Sequence, residues 1–307
     1  MKKKIIFAVL GILVLAGLSV GGYYSYQRHQ IGRLYKQATD AYRQKNYQHA
    51  LVLYQNILLS GHENMSLQPD DWAEICSRLA YAYYKVKPDG DGNNCLEKIL
   101  PLYNSSNLQD TIVRGYIYFC LGRFSFNQKK WIISSENYRN AIKNLTPIFF
   151  QPSVKKHLSE PLLCSSYREL LSCYFELKQY SEAQKLLPAI EHLDIENSKF
   201  PEWAGIYSGL AASALASGSL NSAKTYCQKG LKLYSALPET QESRVIFGVL
   251  KWIQAKINYR EKMLSQAIQT GRQAYEILKS GTYNSSSPEI LKTIEEWEQE
   301  RSISSHK

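Results

Sequence analysis

Glycine and proline are scarce in this chain, at 17 and 10 of 307 residues. So few of the strongest backbone punctuators exclude a collagen-like or Pro/Gly-rich disordered chain. The prolines fall mostly between apolar-periodic stretches, as between helices joined by loops. Long basic blocks are missing too. The formal net charge is +10, and +7 remains once Lys2, Lys3 and Lys4 are set aside, yet no run of five or six basic residues occurs. The longest clusters are Lys129-Lys130 and Lys155-Lys156-His157. A dispersed surplus of this kind suits acidic partners or anionic lipid surfaces, and no nucleic-acid partner is expected.

Motifs that carry chemistry are also lacking. The six histidines, at 29, 49, 62, 157, 192 and 306, show no metal-ligand spacing, and no glycine-rich phosphate loop is present. Asp89-Gly90-Asp91-Gly92-Asn93 alternates oxygen ligands as a calcium loop would, but the twelfth position from Asp89 is Leu100, which leaves a turn without its bidentate carboxylate. Six cysteines, at 76, 95, 120, 164, 173 and 227, lie in or beside helical segments of a chain too large to need a disulfide framework. Cys164 and Cys173 would stand about 13 Å apart on one helix, too far to bridge. Cys76 with Cys95 is the pair a bridge would join, and buried thiols are the favoured alternative. The four N-x-S/T sequons, at Asn64, Asn104, Asn144 and Asn284, would matter only in a eukaryotic secretory pathway. No cofactor, metal site or catalytic residue is called for. The chain is expected not to be an enzyme, with a site between helical repeats as the lesser alternative.

What is present begins at the N-terminus. Residues 5–22, IIFAVLGILVLAGLSVGG, carry no charge and follow three lysines. As a helix they would span about 27 Å, close to the thickness of a bilayer's hydrocarbon core. Tyr23, Tyr24 and Tyr26 come next, where a membrane interface would lie, and Arg28 follows. Length and aromatic edge favour a retained signal-anchor over residues 1–26. The small residues at Ser19-Val20-Gly21 keep cleavage of a signal peptide open. The basic tip places the N-terminus in the cytosol and the large domain outside, in a single-pass protein of a bacterial-type cytoplasmic membrane. Arg28, Arg33, Lys36 and Arg43 nearly balance that count from the other side.

The remainder is all-α and repetitive. An aromatic or leucine stands three positions before a small residue at Tyr47/Ala50, Trp131/Ser134, Tyr180/Ala183, Leu220/Ala223 and Leu264/Ala267. Tyr54, Tyr138, Leu187, Cys227 and Gly271 lie four residues beyond the small one, and Ile57, Ala141, Ile190, Gly230 and Ala274 seven beyond. Twelve residues upstream are Ala38, Gly122, Leu171, Ala211 and Ala255, small except for Leu171. This is the pattern of two antiparallel helices whose backbones approach closely. The frame puts the turns at Lys45-Asn46, Lys129-Lys130, Lys178-Gln179, Gly218-Ser219 and Lys262-Met263.

The pattern resembles the tetratricopeptide repeat. The third unit matches best, with Tyr118, Leu121-Gly122, Trp131, Ser134, Tyr138, Ala141 and Pro147. Tyr47, Ala50 and Tyr54 carry the likeness in the first unit, and Tyr167, Leu170, Tyr174, Tyr180 and Ala183 in the fourth. A weaker second unit runs from Trp72 to Tyr103, with Leu79-Ala80, Tyr83 and Cys95 in the small slot and an expanded turn over 88–92. The anchor spacings, 45, 39, 49, 40 and 44, exceed the family's period of about 34. The surplus lies in inter-repeat segments such as Thr146 to Pro161, read as long connections or longer helices. The resemblance covers residues 31–280 and implies a right-handed solenoid of about six hairpins over 27–287. The segment 288–307 then supplies a capping helix, with Ile290, Leu291, Ile294 and Trp297 on one face, and a frayed tail from Ser302.

In repeats of this type the first helix of each hairpin lines the concave side. The likeness therefore implies a binding face carrying Tyr35, Tyr42 and Arg43; Tyr81, Tyr84 and Lys85; Phe119, Arg123 and Phe126; Arg168 and Phe175; and Trp252, Lys256, Tyr259 and Arg260. The fifth unit offers small residues such as Ser208 and Ala212. An aromatic and basic groove suits a protein partner presenting an extended peptide or an acidic helix, although such rings also pack repeat against repeat. The Lys-and-Asn clamp of chaperone-binding members is absent. The expected function is a membrane-tethered scaffold for assembly, secretion or quality control of envelope complexes. A cytosol-facing receptor for client proteins is the alternative.

Overall fold

The computed structural model describes residues 23, 25, 26, 29–64, 69–86, 96–97, 100–102, 108–150, 156–193, 202–236, 240–279 and 287–305. Every regular element among them is helical. The expected anchor falls almost wholly outside the described residues, and among those described no helix is long and apolar enough to cross a membrane. Cys95 and the expanded turn over 88–92 also lie outside them.

Two compact units divide the chain: Met1–Lys129 with Lys143–Ser159, and Lys130–Ile142 with Glu160–Lys307. The first contains helix α1 over 29–43, α2 (Tyr47–Asn64), α3 (Pro69–Val86), a 3-10 turn (Leu100–Leu102), α4 (Leu108–Asn127) and the end of α5 (Trp131–Phe149). The second holds the start of α5, most of α6 (Lys156–Glu176), then α7 (Tyr180–Gln184), α8 (Leu187–His192), α9 (Glu202–Ala216), α10 (Leu220–Ser235), α11 (Gln241–Arg260), α12 (Leu264–Lys279) and α13 (Ser287–Ser305). In the second unit α9 pairs with α10 and α11 with α12. The next first helix then packs on the preceding pair: α11 on α9 and α10, α13 on α12. Stacked hairpins bury a face that neither helix could bury alone.

The small slots form the interior. Ala38, Ala50, Ser134, Ala183, Ala211, Ala223, Ala255 and Ala267 are all fully buried, as are Tyr54, Tyr138, Ile57, Ala141, Ile190 and Ala274 further along the frame. Leu171, the one large residue in its slot, is buried too, and the reason lies on a neighbouring helix. A Cβ added to Gly209 of α9 would sit 3.2 Å from both Cβ and Cδ1 of Leu171. The missing volume has moved from α6 to α9.

Each hairpin turns where the frame puts the turn. Lys45, Lys129, Lys178 and Lys262 have φ between 56° and 63°, and Gly218 has 84°. A left-handed lysine costs roughly 1–2 kcal/mol of local strain. The return is closure of the helix end: at the first turn Lys45 N–H donates to Tyr42 O (3.0 Å) and Asn46 N–H to Ala41 O (2.9 Å). The same two bonds recur at Lys178/Gln179, Gly218/Ser219 and Lys262/Met263, satisfying carbonyls that the helix leaves without partners. Helix α11 opens on a reciprocal cap, Thr240 Oγ1 accepting from Ser243 N–H at 3.1 Å and Ser243 Oγ from Thr240 N–H at 2.8 Å.

The structure decides three local details. The segment from Thr146 to Pro161 is largely helical, α5 continuing through Pro147 to Phe149 and α6 starting at Lys156 before Pro161, so part of the long period is helix length. The second helix of the fourth unit is two pieces. Pro188 near the start of α8 has no N–H to return to the preceding turn, and the chain breaks at Lys185-Leu186 while keeping Ala183 and Ile190 buried. The tail does not fray at Ser302: α13 runs to Ser305, with Ser304 Oγ donating to Glu300 O at 2.9 Å.

Candidate protein-binding surface

In the first unit, α1 and α3 bring their aromatics together at the α1–α2 turn. Tyr42, Tyr47 and Tyr81 lie ring to ring at 5.6 to 5.8 Å, and Tyr42 also meets buried Tyr54 at 6.4 Å. Tyr42 is half-buried against the core, whereas Tyr81 is 43% exposed with the Lys85 Nζ 5.4 Å above its ring. Tyr35 turns inward and donates its hydroxyl to Glu74 Oε2. Burial raises the Tyr35 pKa, and the bond to Glu74 raises it further. Arg43 is exposed, and of Tyr84 only its place in α3 is described. Tyr35 and Tyr42 thus serve repeat packing, while Tyr81, Lys85 and Arg43 face water.

Arg78 organises this corner. Its guanidinium pairs with Glu74, donates to Thr39 Oγ1 at 2.9 Å and to the Tyr54 hydroxyl at 3.3 Å, and lies 5.5 Å from the Tyr42 ring centre. The sequence reading passed over it. Its one local signal is Glu74 four residues earlier on the same helix, a spacing shared by many solvated pairs.

The same local arrangement occurs in α4 and, separately, in α11. Phe119 stands three residues before the small Gly122 and Arg123 one after it, with the Arg123 Cζ 5.9 Å from the ring centre. Trp252 and Lys256 hold the same two positions around Ala255, with Nζ at 5.1 Å. Both cations are exposed. Such contacts contribute roughly 0.5–1 kcal/mol at a surface and hold the charge over an apolar face. Lys256 is crowded enough that burial lowers its pKa, with Glu289 pulling the other way. Phe126 is half-buried.

In the second unit the candidates separate. Phe175 is 42% exposed and tilts against Tyr180 at 5.7 Å. Arg168 lies along α9, its Cδ 3.6 Å from where a Gly205 Cβ would be, and pairs with Glu169 at 3.2 Å. Burial works against its charge, and Glu169, with smaller help from Cys164 and Glu202, more than restores it. Ser208 of α9 returns its hydroxyl to Gly205 O at 2.7 Å. Trp252 and Tyr259 are covered: Trp297 of α13 stacks on them at 5.6 and 4.8 Å, and the Tyr259 hydroxyl donates to Glu300 at 3.0 Å. Arg260 stays exposed. The surface left open is more basic and less aromatic than the sequence set.

Cys76, Cys120, Cys164, Cys173 and Cys227 are buried thiols. Burial pushes Cys120 up to about 12 and Cys173 and Cys227 up to about 11, so none of these three is a thiolate at neutral pH. Among the described residues no group of three His, Cys, Asp or Glu could hold a metal ion.

No protein-family profile matches the chain. No curated protein sequence matches it. Solved structures do. BtubC (BKLC) from P. vanneervenii aligns over 83% of this chain and 90% of its own with a TM-score of 0.54, at 15% identity. The apo form of RapI aligns over 89% and 99% with a TM-score of 0.51, also at 15% identity. Both are helical repeat-like folds, and this chain shares that fold.

Proposed function

We propose that this chain is a membrane-tethered protein-interaction scaffold of the tetratricopeptide type, a right-handed solenoid that takes an extended or acidic segment of a partner protein and performs no catalysis. The observation that carries the reading is the exposed cation held over an aromatic ring at the same two repeat positions in α4 and α11, Arg123 over Phe119 and Lys256 over Trp252. A carboxylate meets the cation, and an apolar side chain meets what remains of the ring. The tether is the uncharged run over 5–22, with the N-terminus in the cytosol and the repeats outside, serving assembly, secretion or quality control of envelope complexes. Fold alone names no partner.

The test is crosslinking and affinity capture from native membranes with Arg123→Glu and Lys256→Glu. Both keep the rings in place, so helicity and melting should hold while captured partners fall by about tenfold, as expected for one lost charge-assisted contact. An unchanged captured set for both variants overturns the surface. Fusing a cytosol-active reporter to the C-terminus tests orientation, and reporter activity there overturns the extracytoplasmic placement.

A further inference from the structure

Helix α1 has two faces of opposite character. Ile31, Ala38 and Ala41 are buried in the first unit's core, with Leu34 and Tyr35 packed beside them. At about 100° per residue, the opposite side carries His29, Gly32, Arg33 and Lys36, all exposed, and with the exposed Ser25 that precedes α1 they line one shallow depression. Asp40 and Arg43 continue that side and offset one another. The face is ordered by its own side chains: Gln30 Nε2 donates to the Tyr26 hydroxyl at 2.9 Å and Arg33 Nη2 to Gln30 Oε1 at 3.0 Å. Tyr23 and Tyr26 are 56% and 61% exposed, and the uncharged run of 5–22 ends immediately before them.

We propose that this basic face of α1 lies against the anionic headgroups of the membrane that holds the chain, so that the scaffold is seated on the surface rather than swinging from its tether. The proposal rests on the tethering reading above. Aromatic residues with a polar edge belong at the headgroup level. Gln30 bridges Tyr26 and Arg33 through the two hydrogen bonds above, a reach comparable to one screening length of about 8–10 Å at ordinary ionic strength. Lys36 is a turn further, but helical side chains lean toward the helix N-terminus, and long cationic ones extend to reach an interface. Gly32 fits the same arrangement. A Cβ there would meet nothing within 4 Å, so no packing demands glycine, and its bareness lets headgroups come close between His29, Arg33 and Lys36. The occupant is lipid rather than an acidic protein because in sequence the face follows the apolar run directly and its cations sit on one side of a single helix.

The experiment uses the full chain with Gly32→Cys carrying an environment-sensitive fluorophore. The cysteines at 76, 120, 164, 173 and 227 are buried, and labelling of the parent chain is subtracted. Flotation and quenching by headgroup-proximal quencher lipids are measured in phosphatidylcholine vesicles and in phosphatidylglycerol-rich ones. Flotation with both lipids is expected, with quenching strong only in the anionic vesicles and reduced about tenfold or more by Arg33→Glu with Lys36→Glu, since each cation near an anionic surface contributes roughly fivefold. Flotation with equal, weak quenching in both lipids overturns the seated face and leaves the tether standing. Failure to float on phosphatidylcholine together with salt-sensitive quenching on phosphatidylglycerol overturns the tether and keeps the face. Shielding of the label by soluble polyglutamate as effective as that by anionic vesicles overturns the lipid assignment in favour of an acidic protein.

Discussion

Gly209 and Leu171 show how a single residue's tolerance is set by another helix. A methyl on Gly209 would press on the Leu171 Cβ, an atom fixed to its backbone, so relief has to come from helix movement. Overpacking of this kind costs about 1–3 kcal/mol, against a helix-propensity gain of about 1 kcal/mol for Gly→Ala. Gly209→Ala is therefore expected to be more favourable by at least about 1 kcal/mol in a Leu171→Gly background, which removes that Cβ, than alone, a coupling read from a double-mutant cycle of urea melts. Additive effects would mean that the two helices do not touch there. The buried thiols make a second prediction. Folding lifts Cys173 and Cys227 from an ordinary 9.0 to about 11, and Cys120 to about 12. Below pH 9 both folded and unfolded chains hold these protons and stability does not depend on them. Between pH 9 and 11 the unfolded chain has lost them while the fold retains them, so stability falls by about 1.4 kcal/mol per pH unit per thiol. Urea midpoints measured from pH 8 to 11 should fall less steeply for Cys227→Ala than for the parent chain, and equal slopes would contradict the burial of Cys227.

At the scale of elements, the turns are under mild strain that the hairpins tolerate. Lys178 holds φ 56° between α6 and α7, and its side chain is exposed. Glycine at that position keeps both closing hydrogen bonds and removes the clash of an L side chain in the left-handed region. Lys178→Gly is expected to raise stability by about 1 kcal/mol, where the same change in the middle of an exposed helix would lower it by about as much. Thermal melting checks the sign, and a loss of stability would show that the turn is not left-handed. Much of this level was legible beforehand, because helix hairpins repeat a local geometry. The small slots and turns followed from spacing alone. The break between α7 and α8 did not, since Pro188 at a helix start and Pro188 as a helix breaker read alike until the packing of Ala183 and Ile190 is known.

For the whole molecule, each stacked hairpin depends on its neighbours, and α13 packs on α12. Ile290, Ile294 and Trp297 close the core formed with Ala255, Ala267, Ile268 and Leu278, while Arg272 of α12 reaches Glu298 at 2.6 Å. That ion pair is exposed and adds little; the apolar contact dominates. Trp297→Ala is expected to cost about 3–5 kcal/mol and to raise hydrogen exchange in α11 and α12 far more than in α6 and α9, because coupling in stacked repeats runs between neighbours. Uniform loss of protection across the second unit would show that its hairpins melt as one body.

Sequence by itself determined the helical hairpins, their turns and the amphipathic closing helix, because these arise from contacts within some forty residues and leave a periodic trace. It also set out the aromatic and basic residues on the first helix of each pair. Which of those remain available to a partner was decided by tertiary structure. A ring at a given repeat position looks the same in the chain whether it faces water or the next hairpin; Glu74 and Arg78 turn Tyr35 and Tyr42 inward, and Trp297 covers Trp252 and Tyr259. Exposure is a property of the neighbouring helix, and that helix is placed by packing across the repeat rather than by the residue's own surroundings in sequence.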